Sequence, residues 1–258
     1  MLGNGRKSPT GFNCPSCVKK LLWKKLGEWE GGIFGFLFCS SHRYPVVWGI
    51  PIFLKQPPIP FLLSLIESRR FEESMELVLA SSFPKTIGHF QRRREWASTI
   101  VSNRKTSFKM ALSPFPKSWQ RFFHGRLRDP SFHRLRSLAQ TMLPSDIQSP
   151  RRGSNPTRAL LDLGCGTAPL AYALNGRVSQ ARITSLDINF YLLYFARRFF
   201  QSQSIYVCAD ARERLPFPTG SFGGIICCGV SEAIQDQGRF LGECERLLSP
   251  SGFFCWQP

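Results

Sequence analysis

The residues of this 258-residue chain whose types and spacing could do chemistry are three acids, two glycines and a quartet of thiol and imidazole groups. Asp162 sits in an apolar run, "RALLDLGCGTAPLAYAL" at residues 158–174, and is followed by Leu163, Gly164, Cys165 and Gly166. Two glycines give a loop torsions, and a closeness of approach, that a Cβ would forbid. The loop therefore reads as a floor for a ligand lying against the backbone; a tight strand-to-helix turn with no ligand is the competing reading. Asp187 ends a second short run, "RITSLDIN" at 182–189, 23 residues after Gly164. That is the distance at which dinucleotide-binding logic places an acid for ribose hydroxyls. Asp210 ends a third, in "IYVCADARERLPF" at 205–217. For each acid, a loop cap or turn residue is the alternative.

The quartet lies at the other end. Cys14 and Cys17 form a CxxC, and Cys39 with His42 forms a CxxH after 21 intervening residues. Tetrahedral zinc takes four such sulfur and nitrogen ligands, commonly as two pairs from two turns. A Cys14–Cys17 disulfide competes, but no secretory signal precedes it, which disfavours that bond and agrees with a cytoplasmic chain. Cys165, Cys208, Cys227, Cys228, Cys244 and Cys255 read as core or turn residues.

What must position the acids is a sheet. Leu160, Leu161 and Leu163 suit a strand covered on both faces, and Ala171 and Leu174 the packed face of a following helix. "GGIICCGV" (223–230) and "GFFCWQ" (252–257) supply strands four and five; "NFYLLYFARRFF" (189–200) and "GRFLGECERLLS" (238–249) are helical runs between strands. Strands alternating with helices predict an α/β fold, a Rossmann-like doubly wound parallel sheet with ligands at the strands' carboxyl ends. The apolar stretch 46–66 is broken by a lysine and four prolines, so no membrane span is expected.

In order and spacing, these segments resemble the class I S-adenosylmethionine-dependent methyltransferases, particularly the type that includes ubiquinone and menaquinone biosynthesis enzymes. "LLDLGCGTA" is similar to that family's first motif and "SLDIN" to its second. "ADARERLPFPTGSFGGI" is similar to its third and fourth, and "ECERLLSPSGFF" to its E-x-x-R-V-L-K-P-G-G segment. The resemblance implies S-adenosylmethionine as cofactor. Gly164 and Gly166 would lie beneath its methionine and ribose portions, Asp162 near the amino-acid end, and Asp187 on the two ribose hydroxyls. Asp210 would accept from the adenine amino group, with Ala211 offering its N–H. The same carry-over adds Leu163, Cys165, Ile188 and Cys228 to the cofactor set. Gly223 stands where the family usually has Asp, and Ser251 replaces the first glycine of its Pro-Gly-Gly turn. "CCGVSEAI" (227–234) carries no histidine or other obvious base. No catalytic residue is named, and in-line positioning can supply much of the rate when the acceptor is already activated. The sequence stops at Pro258, whereas the family's sheet continues with two more strands. The expectation is a sheet truncated after strand five, with a partner chain covering its open edge as the alternative.

"CPSC…LFCSSHRYPVVWGIPIFL" is similar to the small zinc ribbon related to the tRNA-methyltransferase activator subunit, whose last metal pair runs into Tyr-Pro-Ile/Val and Gly-Ile-Pro. Tyr44, Pro45, Val46, Gly49, Ile50 and Pro51 match that tail. A similar cysteine-rich head precedes an rRNA guanine methyltransferase type. Three parts follow: a zinc-ribbon-like module at 1–65, a basic linker and helical extension at 66–156, and a cofactor domain at 157–258. Residues 67–156 are weakly patterned, although 131–143 puts Phe132, Leu135, Leu138, Ala139 and Met142 on one helical face, and 144–156 reads as a linker.

Charge divides the chain. Residues 1–158 hold 26 Lys+Arg against 9 Asp+Glu, and residues 159–258 hold 8 of each. Residues 104–136 interleave basic groups with Phe108, Trp119, Phe122 and Phe123, a composition suited to phosphate neutralisation and base stacking on RNA. A solvated connector whose aromatics pack on their own domain is the competing reading. Methyl transfer to an unspecified acceptor, small molecule or RNA, is the function these readings favour. A non-catalytic zinc-ribbon adaptor with a degenerate cofactor fold is the reading from a different class.

Overall fold

The computed structural model describes residues 11–55, 57–83, 89–102, 159–174, 183–199, 204–228 and 234–257, with isolated positions between them. The basic–aromatic stretch 104–136, the helix expected at 131–143 and the linker at 144–156 lie almost wholly outside the described residues.

The N-terminal part is an antiparallel sheet of β1 (Leu22–Trp29), β2 (Gly32–Phe38), β3 (Arg43–Val47) and β4 (Ile50–Pro51), in that order. Two of its connections are two-residue turns, Glu30-Gly31 and Trp48-Gly49, with positive φ at every position (49°, 78°, 52° and 74°). That geometry matches the right-handed twist of the strands it joins. The remaining connection, residues 39–42, carries Cys39 and His42 at its two ends, and the Cys39 N–H donates to the His42 carbonyl at 3.0 Å.

Three helices follow: α1 (Ile59–Glu67), α2 (Phe71–Ser82) and α3 (Phe90–Ser102). Within the weakly patterned residues 67–156, the described part holds two well-packed helices. Phe71, Met75, Val78 and Leu79 of α2 are buried at helical spacing, and α3 buries Ala97, Ile100 and Val101 beneath an otherwise polar surface. The boundary expected at 65/66 falls inside α1, whose Leu62 and Ile66 share one core with Phe34, Val47 and Phe71. Phe34 and Phe71 stack with ring centroids 4.7 Å apart.

The C-terminal part is a parallel sheet of β5 (Ala159–Leu163), β6 (Ile183–Asp187), β7 (Ile205–Cys208), β8 (Phe222–Cys228) and β9 (Leu248–Gln257), in the spatial order β7-β6-β5-β8-β9. Helices α4 (Pro169–Ala173), α5 (Phe190–Phe199) and α6 (Gln237–Leu247) connect them. One face of the sheet, with Leu160, Ile183, Tyr206 and Ile226, packs on α5 and on the N-terminal helices. The other, with Leu161, Leu186, Val207 and Ile225, packs on Phe240, Cys244 and Leu247 of α6. The expected α/β architecture and its five strands are therefore present. Gly223 has a local reason: pairing passes from Phe222 directly to Gly224 against both β5 and β9, so Gly223 is the extra residue of a bulge. Opposite it, β9 makes an excursion over Ser249–Gly252 before pairing resumes at Phe253.

The two parts are joined edge to edge. Ile52 forms a parallel bridge with Cys208, and the Phe53 N–H donates to the Cys208 carbonyl at 2.8 Å, so the chain leaving β4 caps the β7 edge of the sheet. The Asn13 N–H donates to the Pro216 carbonyl at 3.0 Å, and Phe12 lies against Phe217 with ring centroids 5.6 Å apart. Half-buried Arg197 of α5 donates to the Gly49 carbonyl at 3.1 Å, with its guanidinium 5.7 Å from the Trp48 ring. Covering an edge in this way removes unpaired backbone groups that would otherwise invite association. No helix among the described residues is long and apolar enough to cross a membrane.

Candidate functional site

Parallel register aligns Leu163 with Leu186 and Cys227, and Asp187 with Cys208. The carboxyl ends of β5, β6, β7 and β8 therefore lie side by side. This brings Asp162, Leu163, Gly164, Cys165, Gly166, Asp187, Ile188, Asp210, Ala211 and Cys228 to one edge of the sheet, the edge at which open α/β sheets take ligands.

The loop after β5 is tightly held. The Gly164 and Cys165 N–H groups both donate to the Leu186 carbonyl, at 2.8 and 3.0 Å, and the Gly166 N–H donates to Asp187 Oδ2 at 2.8 Å. Gly164, Gly166 and Ala168 are left-handed (φ 69°, 54° and 52°). For non-glycine Ala168 this is strain of the kind that collects at ligand sites. A Cβ added at Gly166 would meet no described atom within 4 Å, so the loop faces open space there. A Cβ at Gly164 would come 2.3 Å from Val230 Cγ2. Gly164→Ala is therefore expected to destabilise the chain by about 1–3 kcal/mol through backbone strain and to tilt the loop away from Asp187. A thermal melt and a cofactor titration on the variant check this, and an unchanged melt with unchanged affinity would contradict it.

Asp187 is 9% exposed. Besides the Gly166 N–H on Oδ2, its Oδ1 accepts from the Asn189 N–H at 2.8 Å. Burial pushes its carboxyl above the ordinary carboxylate range, against the pull of those backbone donors. Each carboxylate oxygen has a second acceptor site, so the pair can still receive two hydroxyls. Asp162 is buried in β5. Burial, and then the charges of Asp162 and Asp187, push the buried Cys165 thiol well above its ordinary value, which disfavours the thiolate.

Asp210 differs from the other two acids. Arg212 clamps both of its oxygens, Nε at 2.9 and 3.1 Å and Nη2 at 2.7 Å. Burial alone would raise the Asp210 carboxyl, but the Arg212 side chain and its N–H outweigh burial and hold it below the ordinary range. Arg212 was absent from the candidates drawn from the sequence; its position two residues after a strand-end acid is the only signal. Asn189 was missed too. Its Nδ2 donates to the Ser82 carbonyl at 3.1 Å, tying the residue after Ile188 to α2.

The second cluster also assembles. Cys14 Sγ lies 3.5 Å from His42 Nδ1, Cys17 Sγ 3.6 Å from Cys39 Sγ, and Cys39 Sγ 3.7 Å from His42 Nδ1. All four ligand atoms fall within 4.8 Å of one another. A tetrahedron with metal–sulfur bonds of about 2.3 Å has edges of about 3.8 Å, so the observed edges fit a four-coordinate ion. Both members of the CxxC are free thiols, so the competing disulfide is not formed. Burial would raise the Cys14 thiol, but hydrogen bonding, first of all with the Tyr44 hydroxyl at 3.1 Å, brings it below its ordinary value.

The first of these sites lies in a segment that is similar to known methyltransferases. Residues 161–256 match the family model described as a methyltransferase domain. Over 145 residues the chain is 30% identical to the Arabidopsis thaliana protein named "Probable methyltransferase PMT12", covering 55% of this chain and 19% of that one. It is 33% identical to a demethylmenaquinone methyltransferase of Thermus thermophilus over 98 residues (37% of this chain, 44% of the relative). It is likewise 33% identical to a malonyl-[acyl-carrier protein] O-methyltransferase of Methylovorus sp. over 103 residues (37% and 34%). These matches span less than half the length of each relative.

Proposed function

We propose that the chain is an S-adenosylmethionine-dependent methyltransferase whose N-terminal ribbon holds a structural zinc ion and braces the cofactor sheet. The observation that supports it most is the Gly164–Ala168 loop folded over Asp187, within a segment that matches the methyltransferase domain. Gly166 opens on space that a cofactor's ribose and methionine would fill, and Asp187 would take the two ribose hydroxyls in charge-assisted hydrogen bonds. Asp162 would serve the amino-acid end, and Ala211 the adenine through its N–H. Asp210 would accept from the adenine amino group with Arg212 fixing its carboxylate. Bound there, the sulfonium supplies a transferable methyl group. The chain's own part is to orient it for in-line attack.

The acceptor is not inherited from the relatives, whose names specify acceptors as unlike as a quinone precursor and an acyl-carrier protein. The charge distribution favours an anionic acceptor, RNA among them, because the whole positive excess lies in residues 1–158. Calorimetric titration of the full chain with S-adenosylmethionine, followed by transfer of a labelled methyl group to RNA, tests both parts. Micromolar binding supports the cofactor assignment, and labelled RNA with a steep salt dependence supports the acceptor class. No heat from a folded chain overturns the assignment and returns attention to the adaptor reading.

A further inference from the structure

The "ECERLLSPSGFF" match puts Glu243 and Arg246 one turn apart on α6, against residues 215–217 that follow the Asp210 turn. Glu243 Oε1 accepts from the Leu215 N–H at 2.7 Å. Arg246 donates to both Glu243 oxygens, through Nε at 2.8 Å and Nη2 at 2.6 Å. It also reaches two backbone carbonyls, Phe217 at 2.9 Å through Nη1 and Leu215 at 3.3 Å through Nη2.

Three observations separate this pair from an ordinary ion pair on a helix surface, which contributes little. First, the Arg246 and Glu243 side chains are only 16% and 13% exposed, so water competes weakly for their bonds. Second, those bonds leave the helix: one N–H and two carbonyls of 215–217 find their partners in the pair, and the Gly220 N–H donates to the Arg246 carbonyl at 2.9 Å. Third, the strip they hold is fixed from the ribbon side as well. Leu215 and Phe217 are buried, the Phe217 ring meets Phe12 and Phe222, and the Pro216 carbonyl accepts from the Asn13 N–H.

Asp210 and Ala211 therefore hang between two fixed points. On one side the Ala209 N–H donates to the Asp187 carbonyl at 3.1 Å, and on the other stands the strip gripped by α6. Between them the Glu213 N–H closes a turn on the Asp210 carbonyl at 3.1 Å. The Arg239–Glu213 pair also links this turn to α6, but both of its side chains are exposed.

We infer that Glu243 and Arg246 are positioning residues for the adenine side of the cofactor site, holding residues 215–217 so that the turn before them presents Asp210 and Ala211 to the base. This rests on the cofactor reading above. Helix α6 and the ribbon thus grip the same strip from two directions, and neither touches the ligand.

The test titrates S-adenosylhomocysteine and its inosine counterpart, which has a carbonyl in place of the adenine amino group, into the full chain, Glu243→Ala and Arg246→Ala, with a thermal melt of each. A site that hydrogen-bonds the amino group rejects the analogue without it. A parent preference for the adenine ligand of about tenfold or more, reduced at least about threefold in a folded variant, supports the inference. A pair that served stability alone would lower the melt and leave the ratio of the two affinities fixed. A parent-like ratio in every folded variant overturns the inference and leaves the cofactor reading intact. A folded parent that binds neither ligand removes both; one that binds the two equally removes Asp210 as the adenine acceptor, and this inference with it. Should the alanine variants fail to fold or to bind, Arg246→Lys decides on the same ratio. Lysine keeps the charge beside Glu243 but lacks the planar fork that serves a carboxylate and two carbonyls together. A reduced ratio there supports the pair, and an unchanged one overturns it.

Discussion

Asp187→Ala is expected to raise the dissociation constant for S-adenosylmethionine by at least about a hundredfold in a chain that still folds. A hydrogen bond to a charged group contributes about 1.5–3 kcal/mol. Losing two to the ribose hydroxyls amounts to about 3–6 kcal/mol, which is roughly two to four decades of affinity. The substitution also removes the acceptor that holds the Gly166 N–H, so the glycine loop loses its anchor as well as its ligand contact. Parent-like affinity in the variant would remove Asp187 from the site.

The same carboxyl gives a pH signature. Burial raises its folded value above the unfolded one, so the native chain takes up this proton more readily than the unfolded chain does. As pH falls through that raised value toward the ordinary carboxylate range, this group therefore adds to native stability. The cofactor responds in the opposite sense, because a protonated carboxyl accepts hydroxyl hydrogen bonds less well. Affinity should fall over the range in which this contribution to stability rises, and Asp187→Asn should lack both dependences. Titrations and melts across that range read the two opposed trends, and parallel trends would contradict the assignment.

The parts legible in the sequence share a physical cause. β5, β6, β7 and β8 are short apolar runs buried on both faces, and an acid or a glycine marks where each leaves the sheet, so local pattern alone locates the strand ends. The four side chains of the Cys14–Cys17–Cys39–His42 cluster were legible for a similar reason, since each pair sits within one turn. Helix α3 was hidden because it buries only Ala97, Ile100 and Val101 and reads as a run of charge. The Ile52–Cys208 bridge was hidden for a different reason: it joins backbone groups 156 residues apart, and backbone pairing leaves no mark on side-chain choice. Arg212 and Asn189 were missed because a salt bridge or a side-chain bond to a carbonyl has no periodicity. Gly223, set down as a departure from a family pattern, sits at the register shift of β8 against both β5 and β9, a bulge that local sequence pattern does not announce.

Stripping the ion from the Cys14–Cys17–Cys39–His42 cluster is expected to have the second large effect, and to reach beyond the ribbon. Metal binding by small structural sites of this kind contributes about 10–16 kcal/mol in isolated peptides. Without the ion, the two turns keep the Lys19–Ser40 hydrogen bond and the Tyr44 contacts with Cys14 and Ser16 but lose their strongest common anchor. Cys14 directly follows Phe12 and Asn13, whose contacts with Phe217 and Pro216 hold the segment that begins at Asp210. Loosening the knuckle should therefore free the adenine side of the cofactor site as well. Even a few kcal/mol lost would lower the melting temperature by about 10 °C in a chain of this size. Elemental analysis should find one zinc per chain. A strong chelator, or Cys39→Ser, should lower the melt, increase hydrogen exchange over 208–217 and weaken cofactor binding together. If the melt falls while exchange at 208–217 and affinity stay fixed, the ion serves the ribbon alone. If a metal-free chain melts as the parent does, the four side chains hold no structural metal.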